Sequence, residues 1–173
     1  MLDAAEAHFG APAILINNAA HSTRDGYQRL DGATLDAHYA VNLRAMALLA
    51  VEFVRRYGGH TARRIINLSS GQSHGLMLEE LAYVATKGAI EAFTLSLSAE
   101  VAPLGITVNA VNPGPTDTGW MTEELKKALL PKMLLGRLSQ PADAARLIGF
   151  LASDAGAWIT GQTIHSEGGF LRR

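Results

Sequence analysis

The chain contains no cysteine among its 173 residues. That absence excludes a disulfide-stapled fold, a thiolate metal centre and a cysteine nucleophile. Aromatic residues are scarce, at 6%, which argues against a β-sandwich. Neither sign of charge dominates: 15 Lys and Arg stand against 16 Asp and Glu, a formal net charge of -1. A strongly basic nucleic-acid-binding or membrane-surface protein is thereby excluded. No apolar run approaches the roughly 18 residues of a membrane helix. The opening Met1-Leu2-Asp3-Ala4-Ala5-Glu6 lacks the basic-then-apolar pattern of a secretory leader. The expectation is a cytoplasmic protein with no nucleic-acid or membrane partner. His8, His21, His38, His60, His74 and His165 show no HExxH or paired spacing, so no metal is expected.

What is present is a large apolar fraction, 48%, with 17 glycines. That composition can build a core, and the length fits one domain over residues 1–173. Residues 3 to 9 form a short amphipathic helix in this reading, stopped by Gly10. The apolar run Ala13 to Ile16, ended by Asn17-Asn18, fits a strand buried on both faces. Residues 21 to 33 read as polar and irregular. Thr34 caps a long helix over 35–57, closed by Gly58-Gly59. Strands at 64–68, 106–111 and 161–165 are separated by helices at 81–101, 120–135 and 141–153, with a loop at 71–80. Pro141 stands at the first turn of the last helix. Alternation of strand and helix predicts an α/β fold: a parallel sheet of four strands with helices on both faces.

Tyr83 and Lys87 lie four residues apart in Tyr83-Val84-Ala85-Thr86-Lys87, which puts them on one helix face. A neighbouring ammonium favours the phenolate and lowers the phenol pKa, making proton transfer near neutral pH feasible. Alone, such a pair is ordinary on a solvated surface. Ser70 changes its weight. It sits thirteen residues earlier, at the carboxyl end of a strand, where ligands bind in open α/β sheets. A hydroxyl there can stabilise charge developing on a carbonyl oxygen. Asn17-Asn18 and Asn112-Pro113-Gly114 end two further strands on the same edge.

With these pieces the sequence resembles the short-chain dehydrogenase/reductase family. The resemblance rests on Asn17-Asn18-Ala19-Ala20, Asn42, Ser70, Tyr83-Val84-Ala85-Thr86-Lys87, Pro113-Gly114-Pro115-Thr116-Asp117-Thr118 and the ending Gly161-Gln162 through Gly168-Gly169. It implies a Rossmann-type doubly wound sheet and hydride transfer between NAD or NADP, with NADP preferred, and a small-molecule carbonyl or alcohol. It implies Tyr83 as general acid/base, Lys87 as the group that lowers its pKa and binds the nicotinamide ribose, and Ser70 as the carbonyl-polarising hydroxyl. Asn42 would hold a water in a proton relay behind Lys87. Asn18 and Ala19 would lie beside the adenosine ribose, and Pro113, Gly114 and Thr118 along the nicotinamide and its phosphates. Reduction of 3-oxoacyl thioesters is one subtype, suggested by the ending Ile164 to Phe170. A homodimer or homotetramer, built on the helices at 35–57 and 81–101, is also implied.

Two departures from the family pattern stand out. Ala20 replaces the glycine usual after Asn-Asn-Ala. No glycine-rich TGxxxGxG turn precedes Asn17, so the chain corresponds to family strands four to seven. Roughly 70 residues with three strands would be missing by family length. The alternative reading is therefore an inactive fragment or oligomerising module without the dinucleotide cradle. Other residues remain open. His21 and His74 either line a substrate cleft or belong to exposed loops, and His165 packs beside Glu167. Met77, Leu78, Trp120, Met121 and the apolar face of 125–135 form either a substrate lid or ordinary packing. Arg24 and Arg29 either steer an anionic substrate or are solvated loop charges.

Overall fold

The computed structural model describes residues 1–59 and 62–171. His60 lies outside the described residues. Helix α1 (Leu2–Phe9) leads into β1 (Ile14–Asn17); α2 (Gly26–Arg29), α3 (Gly32–His38), a π-helical turn (Tyr39–Ala45) and α4 (Met46–Tyr57) follow. Next come β2 (Arg63–Leu68), the 21-residue α5 (Leu81–Val101) and β3 (Ile106–Asn112). Helices α6 (Glu123–Leu129) and α7 (Pro141–Ala152) precede β4 (Thr163–His165). The four strands lie in the order β1-β2-β3-β4, all parallel.

Both faces of the central strands are covered, and their alternate residues point to opposite layers. Ile65 and Val108 pack with Phe53 and Tyr57 of α4 and with Leu97 and Val101 of α5. Ile66, Leu68 and Val111 face the other way, onto Leu147, Ile148 and Leu151 of α7. Every residue of β3 is buried. This is the α/β parallel architecture expected, and it places the carboxyl ends of all four strands along one edge.

Several expectations are corrected. β1 is not buried on both faces: Ile14 and Ile16 are 42% and 46% exposed, while Leu15 packs on the core. The stretch 21–33 is not all irregular, because α2 and the start of α3 fall inside it. Asp31, not Thr34, caps α3; its carboxylate accepts from the Thr34 backbone N–H at 2.8 Å. The long helix is interrupted by the π-helical turn around Asn42. Helix α6 is only seven residues, capped by Thr122 and followed by a 3-10 turn at Leu130–Lys132 that contains Pro131. That proline removes a helical N–H donor and breaks the expected 120–135 helix. The 26-residue stretch Gly32–Tyr57 does reach the length and apolar content of a membrane helix. It buries Met46, Ala50, Phe53 and Tyr57 inside the molecule, as a core helix does.

Candidate active site

Ser70 follows β2 directly, and a fan of hydrogen bonds ties its loop to α5. Glu91 Oε1 accepts from Ser69 Oγ at 2.7 Å and Gln72 Nε2 at 2.7 Å, with Ser73 Oγ at 3.4 Å. Tyr83 is the third residue of α5, in its first turn. Burial pushes its phenol above the ordinary value; hydrogen bonding with Ser70 opposes the rise, and the charge of Glu80 adds to it. The direction is opposite to the lowering that the Tyr–Lys spacing predicts. The physical reason is the phenol's own burial, which disfavours the phenolate; Lys87 is itself 2% exposed, and burial pushes its pKa down to about 8. A buried ammonium loses its hydration, so burial favours the neutral amine.

Lys87 Nζ donates to the Leu68 carbonyl at 2.6 Å and lies 5.6 Å from the centre of the Tyr83 ring. Ser70, Tyr83 and Lys87 are thus brought together between the end of β2 and the first two turns of α5. Asn42 joins them from behind, fully buried in the π-helical turn. Its Oδ1 accepts from His21 N–H at 2.6 Å, and its Nδ2 donates to the His21 carbonyl at 2.9 Å and Thr86 Oγ1 at 3.1 Å. The Thr86 hydroxyl in turn donates to the Tyr83 carbonyl at 2.9 Å. A π-turn of this kind is common at functional positions.

The end of β3 forms the adjoining wall. Asn112 Oδ1 accepts from Gly114 N–H at 2.9 Å, and its Nδ2 donates to His165 Nδ1 at 2.9 Å and Glu167 Oε2 at 2.8 Å. His165 Nδ1 therefore accepts, so its Nε2 carries the proton directed at His74 Nε2, 2.6 Å away. His74 is exposed yet joins the 71–80 loop to β4. His21 is half-buried, its ring edge-on to His38 at 4.6 Å. A cleft of about 230 Å³ lies beside this wall, lined by Met133, Leu135, Arg137, His165 and Glu167. A cleft of about 320 Å³ between Leu2, Ala45, Leu48 and Arg56 touches none of these groups.

Pro113 and Gly114 line the β3 edge half-buried, while Asn18, Ala19 and Thr118 are exposed, the first two just past β1 and the third before α6. Arg24 pairs with Glu79 at 3.5 Å and Glu80 at 4.0 Å, and Arg29 donates to the Asp25 carbonyl at 3.2 Å. Met121 and Met133 are buried, whereas Leu78 and Trp120 are exposed. Among the described residues no group of three or more metal-ligating side chains occurs.

A family profile described as Enoyl-(Acyl carrier protein) reductase matches residues 1–171. The chain belongs to the short-chain dehydrogenase/reductase family. An uncharacterised oxidoreductase, YjdA of Bacillus subtilis, is 63% identical over 94% of this chain and 66% of its own length. A 3-oxoacyl-[acyl-carrier-protein] reductase of Rickettsia felis is 38% identical over 91% of this chain and 67% of its own. Among solved structures, the angucycline C-6 ketoreductase LanV with bound NADP superposes with a TM-score of 0.88 at 30% identity, covering 97% of this chain and 66% of that one. The chain spans about two thirds of the length of these short-chain dehydrogenase/reductase relatives. The sequence motifs named Ser70, Tyr83, Lys87 and Asn42 as candidates, which the fold brings together, but gave no sign of Glu91 and Asp25. Both were hidden because their partners, Ser69 to Ser73 and the start of α5, are distant in sequence.

Proposed function

We propose that this chain carries the proton-transfer half of an NAD(P)-dependent oxidoreductase acting on carbonyl and alcohol compounds. The carrying observation is the convergence of the Ser70 hydroxyl, the Tyr83 phenol and the buried Lys87 amine at one strand edge. Tyr83 is the general acid in reduction and the general base in oxidation. Ser70 donates to the substrate oxygen as charge builds on it. Asn42, through Thr86 and the π-helical turn, backs the helix from which Tyr83 and Lys87 project, where a water relay would begin.

The donor set fits a nicotinamide nucleotide. Lys87 uses one of its three ammonium protons on Leu68, which leaves donors for a ribose hydroxyl. Asn18 and Ala19 would flank the adenosine side, with Pro113, Gly114 and Thr118 along the nicotinamide and phosphate side. The nucleotide, when bound, supplies or accepts the hydride. NADP is the preferred form, supported by LanV, and 3-oxoacyl thioesters are a candidate substrate class, supported by the Rickettsia relative. The proposed setting is the cytoplasm, and the proposed assembly is a homodimer or homotetramer. The test is quenching or enhancement of NADPH and NADH fluorescence by the 173-residue protein, followed by turnover with an acetoacetyl thioester and a simple ketone. Saturable binding that Lys87→Ala abolishes supports the reading. No binding and no turnover favours the inactive or oligomerising alternative.

A further inference from the structure

The segment from His21 to Asp25 is held from two sides. Behind it, Asn42 grips the His21 backbone, and the fully buried His38 ring accepts from Thr23 N–H at 3.2 Å while its Nδ1 meets the Thr34 carbonyl at 2.8 Å. In front, Asp25 is 2% exposed and reaches the start of α5. Its Oδ1 accepts from Leu81 N–H at 2.9 Å, its Oδ2 accepts from Ala82 N–H at 2.8 Å, and its own N–H donates to the Glu79 carbonyl at 2.9 Å.

The first N–H groups of a helix have no partner within it and need one from outside. Glu80, the residue before α5, makes no side-chain capping bond. Asp25 supplies the cap instead, from 56 residues away. A carboxylate gripping two consecutive N–H groups fixes both the rise and the rotation of the first turn, and the helix dipole favours its charge. Burial would raise the Asp25 carboxyl, yet the N–H groups of Ala82, Gly26 and Leu81 hold it below the usual range. Tyr83 is the next residue after Ala82. The same loop reaches the second turn of α5 through His21, Asn42 and Thr86.

The geometry points to Asp25 as a positioning residue: its carboxylate clamps the first turn of α5 and so sets where the Tyr83 phenol stands against Ser70. The inference rests on the proposed acid/base role only where turnover is concerned. The charged and titratable groups around this turn are Arg24, Glu79, Glu80 and Arg29 on the loop side, His21 and His38 behind, and Lys87 on the helix.

The test compares wild type, Asp25→Asn and Asp25→Ala in the full chain. Tyr83 is titrated by NMR of ¹³Cζ-labelled tyrosine, assigned with Tyr83→Phe, and amide hydrogen exchange is read at Leu81 and Ala82. In Asp25→Ala the loosened turn hydrates the phenol, and its pKa falls by about half a unit or more toward the ordinary value. Exchange at Leu81 and Ala82 quickens by about ten-fold or more while β2 and β3 keep their protection. Asp25→Asn keeps one acceptor and falls between, and it carries the test if Asp25→Ala does not fold. Unchanged Tyr83 titration in folded variants, or protection lost evenly across the chain, overturns the proposal. If the wild type turns over a ketone with NADPH, Asp25→Ala lowers kcat with the KM for NADPH unchanged. If the wild type shows no turnover, the redox reading fails and the NMR result still decides the clamp.

Discussion

The Lys87 ammonium donates to the Leu68 carbonyl at 2.6 Å from a position 2% exposed to solvent. The group is buried at a cost, and its pKa is pushed down to about 8 from an ordinary 10.5. Above pH 10.5 the amine is neutral folded or unfolded and burial costs nothing through this linkage. As pH falls from 10.5 to 8 the unfolded chain takes up a proton that the folded chain refuses, so stability drops. Below 8 the loss is complete, about 3 kcal/mol for such a shift. Urea unfolding of wild type and Lys87→Met should therefore show their stability difference moving in favour of wild type between pH 7.5 and pH 10. A difference that does not vary with pH would mean that the amine keeps an ordinary pKa.

Removing the phenol and removing the serine hydroxyl should have separable effects. In a version extended by the family's glycine-rich TGxxxGxG turn, Tyr83→Phe should lower kcat by more than ~100-fold, the lower range for loss of a general acid/base, and leave nucleotide affinity nearly intact. Ser70→Ala should also act mainly on kcat, because its hydroxyl serves the oxygen on which charge develops. Lys87→Ala should damage both affinity and rate. Steady-state kinetics with NADPH as varied substrate decides this, and a Tyr83→Phe variant with wild-type kcat would remove the phenol from the mechanism.

The parts of this site that were legible in the sequence are those set by local spacing. Tyr83 and Lys87 share a face because helices repeat every 3.6 residues, and Ser70 follows a short apolar run bounded by turn residues, which fits a strand. The strands and α5 were legible for the same reason. The π-helical turn was not, since Tyr39 to Ala45 has ordinary helical composition and only tertiary packing displaces its hydrogen bonds. Asp25 and Glu91 were silent because their partners are brought close by the fold. The half-exposed face of β1 was misread because an apolar run does not state how many of its faces are covered. The direction of the Tyr83 shift was misread because spacing reports proximity to Lys87 and not the burial of both groups.

The outer faces of α4 and α5 give a prediction about assembly. Ala45 at the end of the π-helical turn, Leu48 on α4, and Ala92, Leu95 and Ala99 on α5 are exposed, with Leu48 at 57% and Leu95 at 62%. Small residues flanking exposed leucines allow close helix approach to a second copy. Ala50, also on α4, is fully buried in the core and takes no part in this face. Ala92→Arg places a charge on the exposed face without touching the core, so it should weaken self-association at micromolar concentration. Sedimentation equilibrium measures it, and an unchanged association constant would rule out these helices as the interface.

Gly114 tests the wall at the end of β3. Its φ is +64°, a left-handed backbone. A Cβ built there would lie 2.4 Å from Glu167 Cβ and 3.0 Å from Glu167 Cα. Gly114→Ala must therefore push the Glu167 loop away and strain the bridge in which Asn112 holds both Gly114 N–H and Glu167 Oε2. Left-handed strain contributes about 1–2 kcal/mol and overpacking about 1–3 kcal/mol, so the variant should lose roughly 2–5 kcal/mol in urea unfolding. The two contributions separate in a double-mutant cycle. Glu167→Gly removes the nearest atom, and in that background Gly114→Ala should cost chiefly the backbone strain. An equal cost in both backgrounds would show that Glu167 does not crowd this position. In that case the close approach of the two loops plays no part in fixing Gly114.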